Sequence, residues 1–158
     1  MGDFNGDGKL DVVAPDVRGG ILVMLGDGTG KLGAPANFST GESSAGELAV
    51  GDLNGDHKLD VVSINITNNH ISVLLGNGNG SLQAAATLTL GGNPSSAFGL
   101  MIADLNGDCR PDLAVANVSS FTAVGSTISV FPGNGDGTFG QAVQYNPVGQ
   151  PIYLMATA

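Results

Sequence analysis

"GDLNGDHKLDVVSIN", residues 51–65, sets an acidic, glycine-punctuated turn directly before an apolar run. Close relatives of this stretch stand at residues 2–16, "GDFNGDGKLDVVAPD", and at residues 103–117, "ADLNGDCRPDLAVAN". The turns begin at Asp3, Asp52 and Asp104, about fifty residues apart, which is the period of a repeat architecture. A second shared element follows each turn: "GGILVMLGDGTGKL" from Gly19, "NHISVLLGNGNGSL" from Asn69 and "STISVFPGNGDGTF" from Ser126.

The second repeat predicts four extended segments, at residues 47–53, 59–66, 70–76 and 81–90. Val, Ile, Leu and Thr dominate them, and Gly/Asn/Asp clusters separate them. The "GDGTG", "GNGNG" and "GNGDG" runs supply left-handed residues for hairpin turns between the third and fourth segments. No long 3.6-residue apolar stripe is present, so helix is not expected. Four antiparallel strands per fifty residues is the arithmetic of a β-propeller blade. The fold class expected is therefore all-β, with three propeller blades in the chain. A β-sandwich competes less well, because it does not require three equivalent turns at near-constant spacing.

The totals are compatible with a packed array. The chain has 158 residues, 42% hydrophobic, with 26 glycines and a net charge of −9. That charge argues against nucleic acid as a partner. No apolar run is long enough to span a bilayer, and no signal peptide precedes the first turn. Cys109 is the single cysteine, so no intrachain disulfide can form. Nine of the fourteen acidic residues lie in the three turns, at positions one, five and nine of each.

In the second turn Asp52, Asn54, Asp56 and Asp60 occupy positions one, three, five and nine. Alternate residues of a tight loop point inward, so these oxygens can converge with the backbone carbonyl of Lys58. Hard oxygen donors in that number suit Ca²⁺ better than Mg²⁺, and zinc lacks a Cys/His set. The competing reading is an Asx-rich turn that only caps a hairpin. Position six, where the loop bends sharply, is Gly8, His57 and Cys109 in the three turns. Weaker binding or shifted geometry is expected in the last two, at a cost of about 1 kcal/mol each.

The motif D-x-[DN]-x-[DN]-G-x-x-D, with Phe98-Gly99 and Ala14-Pro15 nearby, resembles the FG-GAP/VCBS repeats of integrin-α-type β-propellers. The resemblance covers essentially the whole chain. It implies one Ca²⁺ per repeat. The ligands would be Asp3, Asn5, Asp7, Asp11 and the Lys9 carbonyl; Asp52, Asn54, Asp56, Asp60 and the Lys58 carbonyl; and Asp104, Asn106, Asp108, Asp112 and the Arg110 carbonyl. Members usually close with seven blades and serve adhesion, lectin-like sugar binding, or as accessory domains of extracellular enzymes.

Three blades cannot close a ring. The first repeat lacks its first strand, and residues 151–158, "PIYLMATA", read as a first strand without a blade. The expected array spans residues 1–158. Blade one covers about 3–41, completed by 151–158 of another copy; blade two covers about 46–91 and blade three about 97–149. Two copies would then make a six-bladed homodimer. The function expected is a calcium-stabilised, non-catalytic binding scaffold with a glycan or protein ligand, extracellular because millimolar Ca²⁺ matches such sites. An engineered or relict fragment that only self-assembles is one alternative, and an accessory domain of an extracellular enzyme is another. Candidate recognition loops are residues 67–70 and 119–127, with Tyr145, Tyr153 and Phe121 as aromatic platforms more often explained by packing. His57, His70, Glu42 and Glu47 are expected to be solvated, which leaves no catalytic constellation.

Overall fold

The computed structural model describes residues 1–65, 67–90, 96–118 and 127–146. They form eleven strands and, among the described residues, no helix. In chain order these are β1 (Val12–Asp16), β2 (Gly20–Met24), β3 (Ala36–Ser39), β4 (Ala45–Gly51), β5 (Asp60–Asn65), β6 (His70–Leu74), β7 (Ala86–Thr89), β8 (Ser96–Ala103), β9 (Asp112–Val118), β10 (Thr127–Phe131) and β11 (Val143–Tyr145). Three antiparallel sheets result, ordered β1-β2-β3, β4-β5-β6-β7 and β8-β9-β10-β11. Each is a simple meander of the kind that builds propeller blades. The first sheet has one strand fewer, as the sequence expects.

The sheets stack face on face in chain order, and burial shows it. Both faces of β5 are covered, so all six of its residues are buried. In β1 and β2 burial alternates, because the first sheet has a neighbour on one side only. Each sheet has a rear face, toward the next sheet in the chain, and a front face toward the preceding one. Rear-face Val13, Ile21 and Val23 of the first sheet pack with front-face Val61 and Leu74 of the second, joined by Phe4 and Leu82. Rear-face Val62, Ile64, Ile71 and Val73 of the second pack with front-face Leu113, Val115 and Phe131 of the third, joined by Leu53, Leu90 and Leu100. Each such side chain, fully buried, contributes about 1.5–3 kcal/mol.

The first strands of successive sheets lie side by side, β4 next to β1 and β8 next to β4. Both β4 and β8 shift register at matching places, between Ala45 and Leu48 and between Ala97 and Leu100, so the same bulge position recurs in the repeat. The fourth segment is shorter than expected. Residues 81–90 read as one strand, but only Ala86–Thr89 pairs as β7, and Leu82 makes an isolated bridge to Gly76. Leu82 is buried in the core between the sheets, and the same isolated bridge and short last strand recur in the other sheets, at Gly26–Leu32 with β3 and at Gly133–Phe139 with β11. No helix among the described residues is long and apolar enough to cross a membrane.

Candidate metal centres

All three acidic turns are closed the same way. Gly2 pairs with Asp11, Gly51 with Asp60 and Ala103 with Asp112, so each loop leaves and re-enters the structure through one antiparallel pair. In the second and third repeats this pair joins the first strand of a sheet to the second.

Inside the loop the first aspartate organises the backbone. Asp3 Oδ1 accepts from the amides of Gly6 at 2.7 Å, Asp7 at 3.2 Å and Asn5 at 3.3 Å, and its Oδ2 accepts from Gly8 at 2.7 Å. Asp52 does the same with Gly55 at 2.8 Å and His57 at 2.8 Å, and Asp104 with Gly107 at 2.7 Å and Cys109 at 2.9 Å. The amide oxygens of Asn5, Asn54 and Asn106 accept from Asp7, Asp56 and Asp108 at 3.0, 3.0 and 2.8 Å. Oδ1 of Asp7, Asp56 and Asp108 accepts from Lys9, Lys58 and Arg110 backbone amides, each at 2.9 Å. The Lys9 and Lys58 ammonium groups lie 3.3 Å from Oδ2 of Asp7 and Asp56.

Position nine behaves differently. Asp11 and Asp60 are wholly buried and Asp112 nearly so. Oδ2 of each accepts from the amide of position two: Phe4 at 2.8 Å, Leu53 at 2.8 Å and Leu105 at 3.0 Å. Oδ1 accepts from a glycine at the end of the next hairpin: Gly26 at 2.8 Å, Gly76 at 2.7 Å and Gly133 at 2.8 Å. These aspartates latch the acidic loop to the neighbouring glycine-rich turn. The glycine is required there: a Cβ on Gly26, Gly76 or Gly133 would sit 2.1, 2.1 or 2.0 Å from the carbonyl oxygen of loop position eight. The sequence presents the glycine runs as hairpin turns alone. Their constant placement after the position-nine aspartate is the signal that could have revealed the latch.

The electrostatics follow these partners. The Gly8 amide leads in holding Asp3 below the usual carboxylate range, the Lys9 amide does so for Asp7, the Lys58 amide for Asp56 and the Gly107 amide for Asp104. Asp60 is pushed up, chiefly by burial. The charges of Asp56 and Asp52 push the same way, against the Gly76 and Leu53 amides. Three carboxylates of one loop therefore feel one another.

Among the described residues no three His, Cys, Asp or Glu side chains form a preassembled metal cluster. Each loop carries three carboxylates, an amide oxygen and a backbone carbonyl, the donor types that a hard cation takes, while Asp3 Oδ1 already accepts three amides and both oxygens of each position-nine aspartate accept one. Position six has the backbone the sequence anticipates, with φ of 78° at Gly8, 62° at His57 and 63° at Cys109. The expected shift is absent at position six itself, while in the third loop Asn106 Nδ2 also donates to Asp112 Oδ1 at 3.5 Å. The position-six amides reach the first aspartate at 2.7, 2.8 and 2.9 Å, because the hydrogen-bond net fixes the bend whatever the side chain.

Two other expectations are corrected. Glu42 and His70 are not solvated. Glu42 Oε1 lies 2.7 Å from His70 Nδ1, and Oε2 accepts from Asn68 Nδ2. Glu47 is exposed, as expected, and its Oε2 accepts from the Gly99 amide at 2.7 Å, across to β8. His57 is exposed, as expected, 3.7 Å from Asp52. Tyr145, expected to pack, is 55% exposed on β11. Tyr153, Phe121 and residues 119–126 and 151–158 lie outside the described residues, and with them the tail strand expected to pass between copies.

No curated protein matches the chain. The family described as FG-GAP-like repeat matches twice, over residues 3–63 and over residues 52–115, each match spanning two of the acidic turns. With the recurrent loop, the meander sheets and these matches together, the chain belongs to the FG-GAP-like repeat family.

Proposed function

We propose that the chain is a calcium-stapled, non-catalytic propeller scaffold that presents protein- or glycan-binding grooves outside the cell. The observation that carries the reading is the loop itself, built three times over with three carboxylates, an amide oxygen and a backbone carbonyl within nine residues, the last carboxylate buried each time. A divalent cation held by Asp52, Asn54, Asp56, Asp60 and the Lys58 carbonyl would supply positive charge among these acids. The corresponding residues of the first and third loops would hold theirs. The protein's own part is to fix the loop backbone through the first aspartate and to anchor the loop through the ninth. FG-GAP repeats occur in extracellular and surface proteins, where millimolar Ca²⁺ matches sites of about 10⁻⁴–10⁻³ M affinity.

Ligand grooves are supported by two shallow clefts at equivalent places between successive sheets. One, of about 440 Å³, is lined by Asn37, Phe38, Gly41 and Gln83; the other, of about 410 Å³, by Thr87, Phe131, Phe139 and Gln141. Each combines an aromatic ring with side-chain amides, a pairing suited to sugars or peptide backbone. Glu42 and His70 are the nearest thing to a catalytic pair, and their contact between the β3–β4 connector and the start of β6 reads as a brace.

Calorimetric melting in Ca²⁺ and in EDTA tests the staple. Saturation at about 100 times the dissociation constant stabilises each site by about 2.7 kcal/mol, so the midpoint should rise clearly with Ca²⁺. Identical melts in chelator and in millimolar Ca²⁺ would refute it.

A further inference from the structure

The first and second acidic loops are joined by contacts that the second and third do not share. The Gly80 amide, in the glycine-rich turn of the second sheet, donates to the carbonyl of Phe4 in the first loop at 2.8 Å. Among the described residues its counterpart Gly137 makes no such bond to Leu53 of the second loop. Side chains repeat the contrast. Leu59, at position eight of the second loop, lies over Gly2, and a Cβ on Gly2 would overlap Leu59 Cδ1. Gly51, the counterpart of Gly2, is met by Ile102 of β8, and the third loop carries Pro111 at position eight. A Cβ on Gly6 would stand 3.9 Å from the Gly78 carbonyl oxygen, whereas one on Gly55 would meet nothing within 4 Å. Both turns sit equally close on the preceding sheet, Gly80 against Leu25 and Gly137 against Leu75, so the difference lies between the loops and not in the stacking.

These contacts form a continuous path. Phe4 stands between Asp3 and Asn5 in the chain, and its own amide donates to Asp11 Oδ2 at 2.8 Å. Its carbonyl takes the Gly80 amide. The same turn is held at Gly76, whose amide donates to Asp60 Oδ1 at 2.7 Å, and Asp60 Oδ2 accepts from Leu53 at 2.8 Å. One hydrogen-bonded run of backbone therefore links Asp11 to Asp60, the buried acids of two loops.

We infer that the first and second acidic loops fill as a coupled pair, each raising the other's affinity for its cation, while the third fills by itself. The inference rests on the calcium reading. Filling the first loop through Asp3, Asn5 and Asp11 fixes the Phe4 peptide that lies among them. The Gly80 amide then meets an ordered acceptor, and the turn that holds Asp60 loses part of its freedom before the second loop fills. Order already in place is order that the second binding event need not supply, which is positive coupling, and linkage makes it reciprocal. Charge works the other way, because a filled neighbour attracts a second cation less strongly. That effect acts through space and would join the second loop to the third as readily as to the first.

Calcium titration of the full chain at about 0.15 M salt tests this. It is read by NMR at the position-six amides of Gly8, His57 and Cys109, one in each loop. Asp56→Ala, which disables the second loop at an exposed position, should weaken filling of the first roughly 5-fold and leave the third as it was. Asp7→Ala should weaken the second loop by the same factor. Asp108→Ala should leave the first and second unchanged. Leu59→Ala, which uncovers Gly2 and removes no proposed ligand, should shrink the factor between the first and second loops to roughly 2-fold. In the Asp56→Ala chain, calcium should also slow hydrogen exchange at the Gly80 amide and not at Gly137. Circular dichroism confirms that each variant keeps its sheets. First and second loops that fill at the affinities of the unaltered chain in Asp56→Ala and Asp7→Ala overturn the inference and leave the calcium reading standing. So does coupling of equal strength between the second and third loops. A chain that binds no calcium at any loop overturns both.

Discussion

At the level of the single residue, position six of the acidic loop is legible in the amino-acid sequence alone. A loop that must bend within eight residues needs a left-handed backbone at its tip, and Gly8, His57 and Cys109 all adopt it. A β-carbon in that region costs about 1–2 kcal/mol, part of which glycine returns through its freer unfolded chain. Cys109→Gly and His57→Gly should each stabilise the protein by about 0.5–1 kcal/mol, read as a higher urea midpoint at unchanged slope. Position nine is legible as an acid but not as a latch. Its partners, Gly26, Gly76 and Gly133, come from the next hairpin, and spacing alone does not say which way a carboxylate turns.

At the level of the element, that latch joins loop to hairpin. Asp60 accepts two buried amides, so Asp60→Ala strands both donors and should cost about 3 kcal/mol in chemical denaturation. Asp56→Ala, at an exposed loop position with a solvated partner, should cost under about 1 kcal/mol in chelator. Equal costs would deny the latch. Strand existence is readable from β-branched runs between glycine clusters. Strand length is not: the fourth segment of the second repeat shortens to Ala86–Thr89, as β3 and β11 do in their sheets, because Leu82, like Leu32 and Phe139, makes only an isolated bridge beside the glycine-rich turn. The alternation expected of a half-buried strand vanishes in β5 for a related reason, since sheets cover both its faces.

Across the whole molecule, the first and second sheets are braced by Glu42, which meets Asn68 of the β5–β6 connection and His70 at the start of β6. Asn68 first, then His70, holds the Glu42 carboxyl below its usual range. A lowered folded-state value means stability that is present above about pH 4.5 and lost as pH falls through the lowered value. Melting midpoints should therefore drop on acidification below about pH 4.5, and Glu42→Gln should make that drop shallower. Asp3, Asp7, Asp16, Asp27, Asp56, Asp104 and Asp136 are lowered too and reinforce the acid loss, while Asp60, raised, opposes it. An unchanged pH slope in the glutamine variant would remove Glu42 from the account.

What the sequence determined by itself is the repeat, the acidic loop with its left-handed tip, and the four-strand meander. The loop and the strand pairings depend on neighbours within about twenty residues, where spacing and turn chemistry speak directly, and the repeat on likeness between stretches about fifty residues apart. Tertiary structure alone decided which face of each strand is covered, where the ninth aspartate finds its amides, and that Glu42 and His70 meet. It also decided that Leu105 and Leu32 stay open while Phe4, Leu53 and Leu82 do not. Identical local sequence can be core or surface according to whether another sheet stands beside it, and that is a property of stacking, not of the chain read residue by residue.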